Sequence, residues 1–250
     1  MIQCDVANGF AEVTIRHRKP LNPISMEMTR RLTELARSLG ADDEVRGVLL
    51  WGGEGRSFSV GGDFEDVSRL TEEAAVHTYA HEILASYKAL LRVGKPLVVA
   101  IDHYVIGLGL QVALMSDWIV ASERATFHMP ELAGGLACPM GSAILEHLIG
   151  RASMLELVNG CEGIGADRAR ALGLAHDVVP HQSLRTQAIS RLEKFASFPA
   201  LPYRLTKELH NQRFERILAE LEEPAARIHW ACFQARQAQD HFERVLGNPS

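Results

Sequence analysis

Met129-Pro130-Glu131-Leu132 is the stretch on which the reading of this chain turns. It is read together with Gly107-Leu108-Gly109-Leu110-Gln111 and Ser59-Val60-Gly61-Gly62-Asp63 upstream of it. Each glycine-bearing turn follows an apolar run, the first of them expected to be a strand at Phe58. Glycine lets the main chain approach a ligand without a Cβ in the way, so both turns can offer bare N–H groups to an oxygen. Gly107 also opens a predicted helix, whose first turn carries unpaired N–H groups and a favourable dipole. Pro130 fixes its own φ and biases Met129 toward extended geometry, so Glu131 arrives on a stiffened turn. Taken singly, a glycine pair is an ordinary turn, and a Pro-Glu pair is commonly a helix start whose carboxylate complements the dipole.

Outward from these turns, strands alternate with helices. Period-two apolar spacing predicts a strand over 9–15. Residues 45–51 and 97–101 read as buried strands because their apolar runs are continuous. Met28, Leu32, Leu35 and Ala36 share one face of a helix predicted from Ser25, its N-cap, to Leu39. Further helices are predicted over 71–91 and 107–115, with short strands at 118–121, 126–128 and 177–179. Pro180, Pro199 and Pro202 bracket helical stretches, and from 203 onward the chain is amphipathic and helical, broken near Pro224. The pattern is that of an α/β protein with a helical C-terminal segment.

Composition narrows the function classes. The chain has 250 residues, 47% hydrophobic and 23% charged, with a net charge of -5, as an ordinary globular protein has. That charge argues against nucleic acid as a partner, since phosphate-backbone recognition runs on clustered Lys and Arg. Arg16-His17-Arg18-Lys19 is a local basic cluster, either a solvated turn or a contact for a phosphorylated small molecule. The four cysteines contain no CxxC pair, so free thiols in a cytoplasmic protein are expected. No signal peptide, membrane span or metal-ligand spacing is read.

The three motifs together resemble the crotonase (enoyl-CoA hydratase/isomerase) superfamily over nearly the whole chain. The resemblance implies a spiral of ββα turns over residues 1–195. It implies a C-terminal helical segment, 196–250, that completes the site and packs between subunits of a homotrimer or dimer of trimers. It implies a coenzyme A thioester as substrate, with no permanently bound cofactor. The thioester oxygen would be held by the N–H groups of Gly62 and Leu108, with Glu131 as the catalytic carboxylate. CoA would pass the Arg16–Asn22 turn, its phosphates near Arg18, Lys19 and Asn22. One departure stands out: Gln111 occupies the place where hydratases of the family carry a second glutamate. Hydration divides a base and an acid between two carboxylates, and glutamine exchanges no proton near neutral pH. Isomerisation, thioester hydrolysis and decarboxylation remain open.

Within the superfamily, the chain is most similar to the carboxymethylproline synthases of carbapenem biosynthesis. The segments that carry this are Arg56 to Phe64, Ile106 to Gln111, Met129 to Leu132 and Phe233 to Phe242. Gln111 and the C-terminal run point there most narrowly. The resemblance gives His229 a substrate carboxylate to bind, although a lone helical histidine is more often a surface residue. It makes Tyr79 a wall of the substrate pocket, where those synthases carry Trp. The implied reaction decarboxylates malonyl-CoA, couples the enolate to the cyclic imine 1-pyrroline-5-carboxylate and hydrolyses the thioester. The alternatives are an enoyl-CoA isomerase, a simple decarboxylase, and a non-catalytic acyl-CoA-binding subunit of the same fold.

Overall fold

The structure is a computed structural model and describes residues 1–247. The end of the 196–250 segment, and the side chain of Phe242 in the C-terminal run, lie outside the described residues. The chain opens with a hairpin that the sequence pattern did not reveal. β1 (Ile2–Ala7) pairs antiparallel with β2 (Phe10–Ile15). The turn between them is Asn8-Gly9, both at positive φ (54° and 78°), which is the chemistry a two-residue hairpin turn asks for.

From β2 the main sheet runs parallel through β3 (Gly47–Trp51), β4 (Leu97–Ile101), β6 (Trp118–Ser122) and β9 (Asp177–Val179), in the order β1-β2-β3-β4-β6-β9. A smaller sheet holds β5 (Tyr104–Ile106), β7 (Thr126–His128) and β8 (Ile164–Gly165). β3 and β4 are apolar at nearly every position because helices cover both faces. Val48, Leu50, Leu97, Val99 and Ile101 face the main core with α1 (Met26–Ala41) and α3 (Glu73–Leu91). Leu49, Trp51, Val98 and Ala100 face Leu184, Ala188 and Leu192 of α7 (Leu184–Ala196). As expected, Ser25 caps α1, its hydroxyl accepting from the Met28 N–H at 3.2 Å.

The smaller layer is what assembles the site. Ser59 bridges in parallel to Val105, and Val105 is in register with Phe127 of β7. Three extended segments therefore lie side by side and end together. Just beyond their ends come Gly61-Gly62, Gly107-Leu108 and Pro130-Glu131. Motifs far apart in sequence thus converge at the carboxyl ends of parallel segments, the usual place for ligands in such sheets. The first segment is not the regular strand expected at Phe58. Its ladder stops at Ser59, whose hydroxyl accepts from the Gly61 N–H at 3.1 Å and turns the chain.

The remaining helices are α2 (Phe64–Val67), α4 (Leu108–Ala113), α5 (Pro139–Gly160), α6 (Ala166–Leu172), α8 (Ala200–Glu220), α9 (Glu222–Gln234) and α10 (Gln237–Gly247). The C-terminal break falls at Leu221, before Pro224 rather than at it. Pro224 lies in the first turn of α9, where a proline withholds no hydrogen bond the helix needs. Phe214, Leu218, Ala225 and Ala226 of α8 and α9 belong to the main core, and Phe233 and Ala238 pack on Val67 and Val76. No described helix is long and apolar enough to cross a membrane.

Candidate active site

Gly107 is the hinge of the site. It adopts φ 51°, ψ -121° as the N-cap of α4, a conformation that side-chain-bearing residues rarely accept. A Cβ built there would lie 3.1 Å from Glu131 Oε1. Its own N–H donates to the His128 carbonyl at 2.9 Å, tying it to β7. The next N–H, on Leu108, is in the first turn of a helix and has no intrahelical acceptor. The Gly62 and Leu108 N–H groups are without acceptors among the described residues. Both residues line one cavity with Glu131, Gln111, Tyr79 and His229. A Cβ on Gly61 would lie 3.7 Å from the Leu108 nitrogen, which shows how closely the two turns approach.

Glu131 is held by a relay. The Tyr87 hydroxyl donates to Gln111 Oε1 at 2.8 Å, and Gln111 Nε2 donates to Glu131 Oε1 at 3.0 Å. The tyrosine fixes which end of the amide faces the carboxylate. Glu131 Oε2 is buried with no hydrogen-bond partner among the described residues. Burial is the main cause that pushes its pKa up to about 7, only partly offset by hydrogen bonds such as that from Gln111. A carboxyl poised near neutrality and aimed into a cavity suits proton transfer. Cys138 adjoins it, and burial, followed by the Glu131 charge, pushes that thiol well above its usual range, so it stays protonated.

Much of the remaining lining is apolar, from Val60, Phe64, Val67, Ile83, Leu136 and Phe233. His229 reaches it from α9. Its Nδ1 is buried without a hydrogen-bond partner among the described residues. Burial lowers its pKa to about 4, a hydrogen bond with the Ala137 backbone offsetting this only in part. His229 is therefore neutral in the unliganded site at pH 7. No Lys or Arg among the described residues lines the cavity.

The Arg16–Asn22 turn departs from expectation at one residue. Asn22 is wholly buried, at φ 54°. Its amide donates to the Gly52 and Ser57 carbonyls at 3.0 and 2.9 Å, and its oxygen accepts from the His17 N–H and from Arg56. It is a fastener of the turn, with no surface for CoA. Lys19 is already paired with Asp63 at 3.0 Å and Glu65 at 2.8 Å. Arg18 only brushes Glu65 at 3.4 Å, with 78% of its side chain exposed, which leaves it the more available cation for a phosphate.

Sequence reasoning missed Tyr87, Cys138 and His241, all of which line the cavity. Tyr87 follows Tyr79 by two helical turns on α3 and so shares its face, a signal that was present. Cys138 is brought in by the start of α5 at Pro139, which carried no comparable mark.

The family described as enoyl-CoA hydratase/isomerase matches residues 5–245. A carboxymethylproline synthase from Pectobacterium carotovorum subsp. carotovorum is 37% identical over 94% of this chain and 94% of its own. A probable mitochondrial enoyl-CoA hydratase from Dictyostelium discoideum is 31% identical over 83% of this chain and 74% of its own. Among solved structures, ThnE from S. clavuligerus superposes with a TM-score of 0.81 at 31% identity, covering 91% of this chain and all of that one. An enoyl-CoA hydratase/isomerase from Mycobacterium paratuberculosis gives a TM-score of 0.90 at 23% identity over 98% of both chains, which bears on the fold.

Proposed function

The chain belongs to the enoyl-CoA hydratase/isomerase, or crotonase, family, and from that premise we propose that it is a carboxymethylproline-forming synthase. Malonyl-CoA binds with its thioester oxygen between the Gly62 and Leu108 N–H groups. The bond to the carboxylate breaks, CO2 leaves, and the electron pair becomes the thioester enolate. The enolate carbon attacks the C=N carbon of protonated 1-pyrroline-5-carboxylate, giving the ring amine and a new C–C bond. Glu131 then takes a proton from water as it adds to the thioester carbonyl. It returns that proton to the departing CoA sulfur, leaving carboxymethylproline.

The observation that carries this reading is the single carboxylate in the relay from Tyr87 through Gln111 to Glu131. Decarboxylation needs no base, and the same oxyanion hole serves the enolate and the later tetrahedral intermediate, so one carboxylate suffices. The similarity to a carboxymethylproline synthase supports the choice among single-carboxylate reactions. His229 is the group we assign to the acceptor's carboxylate, Arg18 to a CoA phosphate, and a homotrimer or dimer of trimers to the assembly.

Malonyl-CoA incubated with the imine and followed by mass spectrometry is expected to yield carboxymethylproline and CoA. Efficient isomerisation of an enoyl-CoA, with neither carboxymethylproline nor its CoA thioester formed, would replace this reading with the isomerase.

A further inference from the structure

Tyr79 projects from α3 into the same cavity, and its hydroxyl has no hydrogen-bond partner among the described residues. A Cβ on Gly62 would lie 3.2 Å from the Tyr79 oxygen and 3.9 Å from Leu108 Cδ2. The phenol therefore covers the open face of the glycine whose N–H serves the thioester oxygen. Gly62 has two reasons to lack a side chain: it exposes its own N–H, and it leaves room for this hydroxyl. Burial, followed by the Glu131 charge, pushes the phenol pKa upward, so the group remains a proton-bearing donor throughout the working range. The phenol O–H is an unspent donor beside the cavity, and a ligand oxygen there would supply its partner. With no Lys or Arg in the lining, neutral donors carry the charge stabilisation.

We propose that the Tyr79 hydroxyl is a third donor to the thioester oxygen, a side-chain arm of the oxyanion hole beside the Gly62 and Leu108 N–H groups. This rests on the reading of the cavity as a thioester site. A donor to developing charge acts mainly in the transition state, so its loss lowers kcat more than it raises KM.

The test uses acetyl-CoA labelled at its thioester carbonyl, which has no carboxylate to lose and needs no acceptor. Difference infrared spectroscopy of the bound complex reads how strongly the carbonyl is polarised. Tyr79→Phe is expected to return part of the binding-induced downshift and to slow malonyl-CoA decarboxylation by roughly 100-fold, as loss of one such donor does. Site-specific replacement of Tyr79 by a ring-fluorinated tyrosine keeps the shape, makes the phenol a stronger donor, and is expected to deepen the downshift. An unchanged carbonyl stretch in both variants overturns the proposal. So does a Tyr79→Phe effect confined to KM for malonyl-CoA, which would move the hydroxyl to the acyl carboxylate. Because acetyl-CoA needs no carbon–carbon coupling, a carbonyl effect without carboxymethylproline formation would overturn the synthase reading alone. Acetyl-CoA that does not bind would overturn both.

Discussion

Gln111 donates to Glu131 Oε1 at 3.0 Å while its own oxygen is held by Tyr87 at 2.8 Å. The carboxylate thus faces a permanent donor that can orient it and cannot trade protons with it. Gln111→Glu would put a second carboxyl in that place. The variant is expected to gain crotonyl-CoA hydration, from near background in the parent, by roughly the 100-fold or more that a positioned acid–base group contributes. It should lose synthase activity, because two carboxyls at this separation share a proton and leave Glu131 ionised less of the time at neutral pH. Stopped assays of crotonyl-CoA hydration on both proteins check this. Fast hydration by the parent would contradict it.

The raised pKa of Glu131 makes two statements about pH. As a base for thioester hydrolysis it must be ionised, so the hydrolytic step is expected to rise with pH through about 7 and then level off. Stability moves the other way. The unfolded chain loses this proton near the ordinary glutamate pKa, and the folded chain keeps it to about 7, so folding weakens as pH rises between those values. At 1.36 kcal/mol per unit, the group opposes folding by about 3 kcal/mol above that window. Glu131→Gln is therefore expected to be inactive in hydrolysis yet more stable than the parent at pH 8, with the difference vanishing near pH 4. Thermal unfolding at the two pH values measures it.

The turns that make this site were legible in the sequence because their residues have few other uses. Glycine at 107 and proline at 130 advertise backbone conformations, and the structure places them accordingly. The register that brings them together was not legible. Alignment of Ser59, Val105 and Phe127 is a matter of pairing between segments, which period and propensity do not encode. Asn22 was misassigned for a related reason. A polar residue in a basic turn suggests an exposed contact, yet the four hydrogen bonds of its side chain are all to partners folded around it. Tyr87 was overlooked because an aromatic residue on an apolar helix face reads as core, and its one polar atom decides its role.

A methyl group at Gly107 would crowd the carboxylate and strain the backbone. The φ of 51° there strains any L side chain, and the added Cβ would press on Glu131 Oε1 at 3.1 Å. The helix start that presents the Leu108 N–H would have to shift with it. Gly107→Ala is expected to cost about 1–3 kcal/mol in stability, the usual range for such backbone strain, and to lower kcat by two orders of magnitude or so through the displaced donor. Chemical denaturation and decarboxylation kinetics on the same preparation separate the two losses. Gly55, also at positive φ but with nothing within 4 Å of its missing Cβ, serves as the control. Gly55→Ala should show strain without the kinetic defect.

If the proposed reaction holds, His229 tests the division of labour between its two substrates. Its Nδ1 is buried and unpaired in a cavity that contains no Lys or Arg. Burial holds its pKa near 4, so it enters the reaction neutral. The ring's N–H is engaged with the Ala137 backbone, so a carboxylate arriving at Nδ1 is held only by the protonated ring, a charge-assisted bond that contributes about 1.5–3 kcal/mol. His229→Ala is accordingly expected to raise KM for the imine by roughly 5- to 100-fold. Malonyl-CoA decarboxylation in the absence of the imine should remain within about twofold, because the thioester oxygen is held elsewhere. His229→Asn, which keeps a donor on a shorter side chain, should recover part of the imine KM. The ring also opposes folding at acid pH: the unfolded chain takes up its proton near the ordinary histidine pKa and the folded chain only near 4. Stability is therefore lost as pH falls through that window. His229→Ala should be relatively more stable than the parent at pH 4 than at pH 7. A variant that decarboxylates poorly while binding the imine normally would place His229 on the thioester side of the cavity instead.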